Sequence, residues 1–183
     1  MEAFSANLGN RRIEVVRGDI VKERVDAIVN AANSTLLGGG GVDGAIHRAA
    51  GPDLLEECRG LDGCGTGDAK ITRGYRLSAR FVIHAVGPIY RGGQEGEAQL
   101  LDATYRRCMV IAAEHRLQSL AFPAISTGAY GYPRREAAGI AFRRLLQELR
   151  SETTVERVRY VLFDASAFET HEEVLRELLT KRS

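Results

Sequence analysis

The segment best suited to chemistry is Asn30-Ala-Ala-Asn33-Ser-Thr-Leu-Leu-Gly38-Gly-Gly-Gly41-Val-Asp43-Gly44-Ala-Ile-His47. A carboxylate held beside a bound water acts as a general base or orienter, worth about 10²–10⁴ in rate. Asp43 is the candidate for that role. The four glycines before it give up side-chain packing and order, so the backbone there needs unusual dihedrals or close approach by a ligand. Val42 to Ala50 reads as a helix closed by Gly51. Glycines feeding a helix N-terminus present unpaired N–H groups and the positive end of a dipole, a place to hold phosphate. Two other readings stay open. Gly39, Gly41 and Gly44 fit the spacing GxGxxG, although they lie well past the preceding strand. A tight turn with Asp43 stabilising the first helical turn also fits. A nucleoside-triphosphate loop does not, because no Gly-Lys-Ser/Thr follows.

A second glycine-rich loop is Pro123-Ala-Ile-Ser126-Thr127-Gly128-Ala129-Tyr130-Gly131-Tyr-Pro133. Ser126, Thr127 and Gly128 offer hydroxyl and amide donors, and Tyr130 a flat face for a sugar or base. Alone it could be an ordinary strand-to-helix loop with a core aromatic. Together the two loops favour a diphosphate ligand. Asn30 reads as structural, tying down the first loop, and Asp19 as a turn or cap residue. His84 sits in an apolar strand and reads as core; His47, His115 and His171 have no metal-ligand spacing, so neither metal nor cofactor is expected. No serine or cysteine constellation suggests a covalent nucleophile.

The elements that must position these groups alternate short β-branched runs with helical stripes, the pattern of a layered α/β sheet. Strands are predicted at Ile13–Arg17, Ala27–Asn30, Ala69–Thr72, Phe81–Ala85, Ser119–Phe122 and Val158–Phe163. Leu101, Tyr105, Cys108 and Ala112 recur at helical spacing, as do Ala138, Phe142, Leu145 and Leu149. Pro133 suits a first helical turn, and Ser166 with Glu169 suggests a capping box before Leu175 and Leu178. Both glycine loops follow strands, where ligands bind in open α/β sheets.

With 183 residues, 44% of them hydrophobic, the chain reads as one domain over 1–183. Its 25 basic and 24 acidic residues give no broad cationic field for nucleic acid. Three cysteines, Cys58, Cys64 and Cys108, are an odd number with no CxxC pair, which fits a reducing compartment. No signal peptide or membrane-length apolar run is evident, so a soluble, cytoplasmic protein is expected. Met1 to Arg12 reads as an added strand or a tail.

Gly18-Asp19-Ile20, Val29-Asn30-Ala-Ala-Asn33, Gly38 to Asp43-Gly44, Val86-Gly87-Pro88 and the loop from Pro123 to Pro133 together resemble the macrodomain pattern, in order and spacing. The resemblance spans about residues 15–178 and is nearest the branch of O-acetyl-ADP-ribose deacetylases and mono-ADP-ribosyl hydrolases. It implies a three-layer α/β/α fold on a central six-stranded mixed sheet, with one extra N-terminal strand as an option. It implies that Asp19 accepts from the adenine amino group, with the Ile20 amide near the base. Gly39, Gly40, Gly41 and Val42, with Ser126, Thr127, Gly128, Ala129 and Tyr130, would enclose the diphosphate, Tyr130 lying against the distal ribose. Asn33 and Asp43 would reach that ribose and the attacking water, while Phe163 and Asp164 would border the adenosine.

The function implied is hydrolysis of O-acetyl-ADP-ribose, or release of ADP-ribose from acidic side chains, by direct attack of water. The alternative is a module that binds ADP-ribose without turnover. Expected partners are ADP-ribose, its O-acyl derivatives and ADP-ribosylated proteins; nucleic acid enters only as an ADP-ribosylated adduct, and the chain is expected to be a monomer.

Overall fold

The computed structural model describes residues 2–181. Seven strands form one sheet: β1 (Ala3–Leu8), β2 (Arg11–Arg17), β3 (Ala27–Ala31), β4 (Ala69–Arg73), β5 (Phe81–Ala85), β6 (Ser119–Phe122) and β7 (Arg157–Leu162). Their order is β1-β2-β7-β6-β3-β5-β4. The five central strands run parallel, and β1 and β4 close the two edges antiparallel to β2 and β5. The six predicted strands are all present, and β1 is the optional seventh. Of the predicted N-terminal segment, Met1 lies outside the described residues, as do Arg182 and Ser183 of the predicted domain.

Alternation along the strands sorts side chains between two cores. Ile13 and Val15, Val29, Ile83, Phe122, and Val158 and Tyr160 face α3 (Glu97–Glu114), α4 (Arg134–Arg150) and α5 (Ala165–Thr180). The predicted stripes of Tyr105 and Cys108 and of Phe142 and Leu145 are buried there. On the opposite face Val16, Ile28, Val82, Ala121 and Val161 pack against Ile46, Leu54 and Cys58 of α1 (Gly41–Ala50) and α2 (Pro52–Arg59). Each fully buried Leu or Ile contributes about 1.5–3 kcal/mol, so two apolar layers hold the sheet from both sides.

Three details differ from the sequence reading. The last helix is capped by Asp164, whose Oδ1 accepts from Ala167 N at 2.8 Å, and not by Ser166 with Glu169. The chain leaves β7 at Leu162, so Asp164 meets the helix first, and an aspartate caps as well as a serine. Pro133 stands at the N-cap of α4, one residue before the first turn. Helix α2 was not foreseen: it starts on Pro52 directly after Gly51, which also closes α1, and buries only Leu54 and Cys58.

Candidate functional site

Because β3, β5 and β6 are parallel neighbours, the loops at their C-terminal ends emerge along one edge of the sheet. These are the loop from Ala32 to α1, the Val86-Gly87-Pro88 turn and the loop from Pro123 to Pro133. They enclose a cleft of about 380 Å³ lined by Asn33, Gly39, Gly40, Gly41, Val42 and Asp43 on one side and Ser126, Gly128, Ala129 and Tyr130 on the other.

Two glycines are fixed by close approach. A Cβ on Gly44 would fall 2.6 Å from the Gly39 carbonyl oxygen, so the first turn of α1 can lie on the glycine loop only without a side chain there. On Gly87 a Cβ would fall 2.3 Å from Ser126 Oγ and 2.5 Å from Ile125 Cγ2. The Val-Gly-Pro turn is therefore the seat of the second loop. Ser126 itself has a left-handed φ of 68° and is 6% exposed, and its Oγ has no partner among the described residues. Such backbone strain and an idle buried hydroxyl cluster at ligand sites.

Asp43 lies in the first turn of α1, 5% exposed. Its Oδ1 accepts from Asn30 Nδ2 at 2.8 Å, and its Oδ2 faces Gly39, where an added Cβ would sit 3.1 Å away. His47, one turn on, holds Nε2 3.4 Å from Asp43 Oδ1 without hydrogen-bond geometry. Asn33 donates from Nδ2 to Gly38 O at 3.0 Å and accepts on Oδ1 from Thr35 N at 3.0 Å, so it shapes the glycine loop while lining the cleft. Behind Asp43, His84 is completely buried, and burial pushes its imidazole down to about 3, leaving it neutral.

The remaining predicted residues sit elsewhere. Thr127 is not on the cleft wall; its Oγ1 donates to Ala124 O at 2.8 Å and holds the second loop's turn. Asp19 follows β2, two strands beyond β6, and accepts from Val21 N at 3.2 Å. It shares a separate shallow cleft with Phe163, which is 83% exposed. Ile20 is buried, so only its backbone could meet a ligand. Asp164 spends one carboxylate oxygen on the cap of α5. At the rim, Tyr90 N donates to Tyr130 O at 2.9 Å, tying the segment before α3 to the second loop. Glu97 organises that segment: its carboxylate accepts from Arg91 N, Gly93 N and Glu95 N, which hold it down at about 2.

The Macro domain family model matches residues 29–141, which include both glycine loops and the Val-Gly-Pro turn. The chain belongs to the Macro domain family. It is 52% identical to a macro domain-containing protein of Methanosarcina mazei over 97% of this chain and 95% of the relative. It is 49% identical to an O-acetyl-ADP-ribose deacetylase of Salmonella newport, over 91% of this chain and 95% of that protein. The macrodomain of Oceanobacillus iheyensis, solved with ADP, superposes with a TM-score of 0.95 at 42% identity, covering 98% of each chain. The macrodomain sheet, mixed and seven-stranded here, thus brings Asn33 and Asp43 and most of the predicted loop residues together. Sequence reasoning missed the approach of Asn30 and His47 to Asp43 and the contact of His84 with Asn30 behind it. For His47 the signal was available, since residues four apart share a helix face.

Proposed function

We propose that this macrodomain binds ADP-ribose and hydrolyses esters on its distal ribose, removing the acyl group of O-acetyl-ADP-ribose or freeing ADP-ribose from acidic side chains. The observation that carries this reading is a buried carboxylate, Asp43, set at a helix N-terminus between two glycine-rich loops in one cleft. The open amides of α1 and the idle Ser126 hydroxyl suit a diphosphate. The Salmonella relative's deacetylase name and the ADP held by the Oceanobacillus macrodomain support the same ligand class.

The ligand would lie along the C-terminal edge of the sheet. From β2 to β3 there are three strand intervals, about 14 Å in all. Adenine would meet Asp19 and the Ile20 backbone with Phe163 and Asp164 beside the adenosine. The diphosphate would cross between Gly39–Val42 and Ser126–Ala129, with Thr127 supporting that turn, and the ribose would rest on Tyr130, Asn33 and Asp43. Oδ2 of Asp43 would hold a water for addition to the acyl carbonyl carbon or to the anomeric carbon. As the ester C–O bond breaks, the leaving oxygen takes a proton released by that water, so acid and alcohol, or acid and hemiacetal, are the products.

In this reading the chain works as a monomer of one domain in the cytoplasm, acting on ADP-ribosylated proteins as well as on free esters. Its three cysteines are buried thiols, which suits a reducing compartment. No helix among the described residues is long and apolar enough to cross a membrane.

The test assays O-acetyl-ADP-ribose, a glutamate-linked ADP-ribosyl protein and an ADP-ribosylated nucleic acid side by side, with calorimetry of ADP-ribose. One-to-one binding and turnover of at least one ester are expected. Binding without any turnover would make the chain a reader; no heat at millimolar ADP-ribose would remove the ligand assignment.

A further inference from the structure

Asn30 and His84 are register partners on the parallel neighbours β3 and β5, and Thr72 of β4 lies on the same face of the sheet, beneath α1 and α2. Asn30 and His84 are fully buried, and Thr72 is 2% exposed. They form one hydrogen-bonded line to the cleft. Thr72 Oγ1 donates to Arg73 O at 3.1 Å, which leaves its lone pairs facing His84 Nε2 at 2.9 Å. With its proton on that carbonyl the hydroxyl accepts from His84, and the Asn30 end of the line decides which ring nitrogen bears the proton. Asn30 Nδ2 gives one N–H to Asp43 Oδ1 at 2.8 Å and turns the other to His84 Nδ1 at 3.1 Å, so Nδ1 is bare and His84 carries its proton on Nε2, toward Thr72 Oγ1.

We propose that His84, as the Nε2–H tautomer, is a positioning residue that aims the Asp43 carboxylate through Asn30. This rests on the reading of Asp43 as the water-orienting group. The geometry carries it in two ways. Asn30 Oδ1 is buried with no partner among the described residues, so the amide is arranged for its two donors at the expense of its acceptor. Turning the amide would take both N–H groups from their acceptors and set Oδ1 against the Asp43 carboxylate, so His84 and Asp43 together fix its orientation although one buried acceptor stays unmet. Second, the opposite tautomer would put a proton against the Asn30 amino group and demand the flipped amide. Asn30 Oδ1 would then face the Asp43 carboxylate oxygen, and Asp43 would lose its anchor. With Oδ1 pinned, Oδ2 is the oxygen turned toward Gly39 and the cleft.

The groups facing His84 from other elements leave it neutral. Cys58 of α2 places its Sγ 3.7 Å from Nε2, and burial raises that thiol to about 11, so it carries no charge. His47 of α1 stands with ring centroids 6.3 Å apart, and loss of solvent disfavours the charged form of His84 at that position.

The experiment has a substrate-free arm and a kinetic arm. In protein labelled with ¹⁵N-histidine, the His84 nitrogen shifts report which nitrogen bears the proton; a bare Nδ1 and a protonated Nε2 are expected. In single-turnover hydrolysis of O-acetyl-ADP-ribose, His84→Phe removes the acceptor while keeping a ring. Its rate should fall about 10- to 100-fold, as for a displaced reacting group, with ADP-ribose Kd changed less than about threefold. His84→Asn, whose Oδ1 can stand near the Nδ1 position, should recover most of the loss. Thr72→Val serves if His84→Phe does not fold: without its acceptor the tautomer should shift toward Nδ1–H and the rate should fall in step. A parent with Nδ1–H, or a His84→Phe protein as fast as the parent, overturns the proposal, as do His84→Phe and His84→Asn variants that fall alike. If the parent hydrolyses no ester, the functional reading fails, and the nitrogen shifts alone decide whether the line from Thr72 to Asp43 exists.

Discussion

Asp19 uses one carboxylate oxygen on the Val21 amide, at 3.2 Å, to cap a turn of three residues, Ile20–Lys22. Its other oxygen is left for the proposed contact with adenine. Asp19→Ala should therefore spare the fold and weaken ADP-ribose by about 1.5–3 kcal/mol, the worth of a charge-assisted hydrogen bond. Calorimetry is the check, and unchanged affinity would leave Asp19 as a cap alone. At this scale the sequence was informative where a residue type is costly without a function. Four glycines in a row before Asp43 are of that kind, and so is the pairing of Asn33 with Asp43 across ten positions of glycine-rich chain. His84 was not legible beyond its burial. Its contact with Asn30 spans 54 residues and depends on the register of two strands, which no local pattern encodes.

The second loop is an element with its own internal support. Tyr105 OH, deep in the core, accepts from Ile125 N at 3.2 Å and lies 2.9 Å from Tyr160 OH, while Gly87 seats Ser126 from the cleft side. Gly128 projects from this rigid base, and a Cβ there meets nothing within 4 Å. Gly128→Glu should consequently fold normally and lose ADP-ribose binding, because the added carboxylate enters the space assigned to the diphosphate and repels it. A thermal melt equal to the parent's, with calorimetric affinity also unchanged, would take this loop out of the binding site. The central strands were readable because short apolar, mostly β-branched runs mark them. Helix α2 was not, since eight residues with two buried positions give too short a stripe to stand out from a loop.

Across the whole molecule, the two cores each bury an imidazole. His84 lies under α1 and α2, held down at about 3, and His171 lies among Tyr160 and Phe142, held down at about 4 by the same loss of solvent. Unfolded, both titrate near 6.5, so below that pH the unfolded chain binds more protons than the native one. Stability is then full above pH 6.5 and is lost as pH falls toward 4 and 3, by up to about 1.4 kcal/mol per pH unit for each histidine. Glu97 adds loss of the same sign at lower pH, between its ordinary 4.5 and about 2. Urea unfolding from pH 7.5 to 5 should show this decline, shallower in His171→Phe; a stability independent of pH would contradict it. The macrodomain architecture as a whole was legible because four of the five separated motifs follow strand ends and the other opens α1, and only the parallel order β6-β3-β5 brings all but the Asp19 motif into one cleft. Single-turnover hydrolysis of O-acetyl-ADP-ribose by Asp43→Ala, beside calorimetry of ADP-ribose, decides whether this cleft orients water on Asp43. The rate should fall by at least about 10²-fold with product affinity changed far less, because the carboxylate serves the transition state more than the bound ground state. An Asp43→Ala protein that hydrolyses the ester as fast as the parent would mean that this carboxylate does not orient the attacking water.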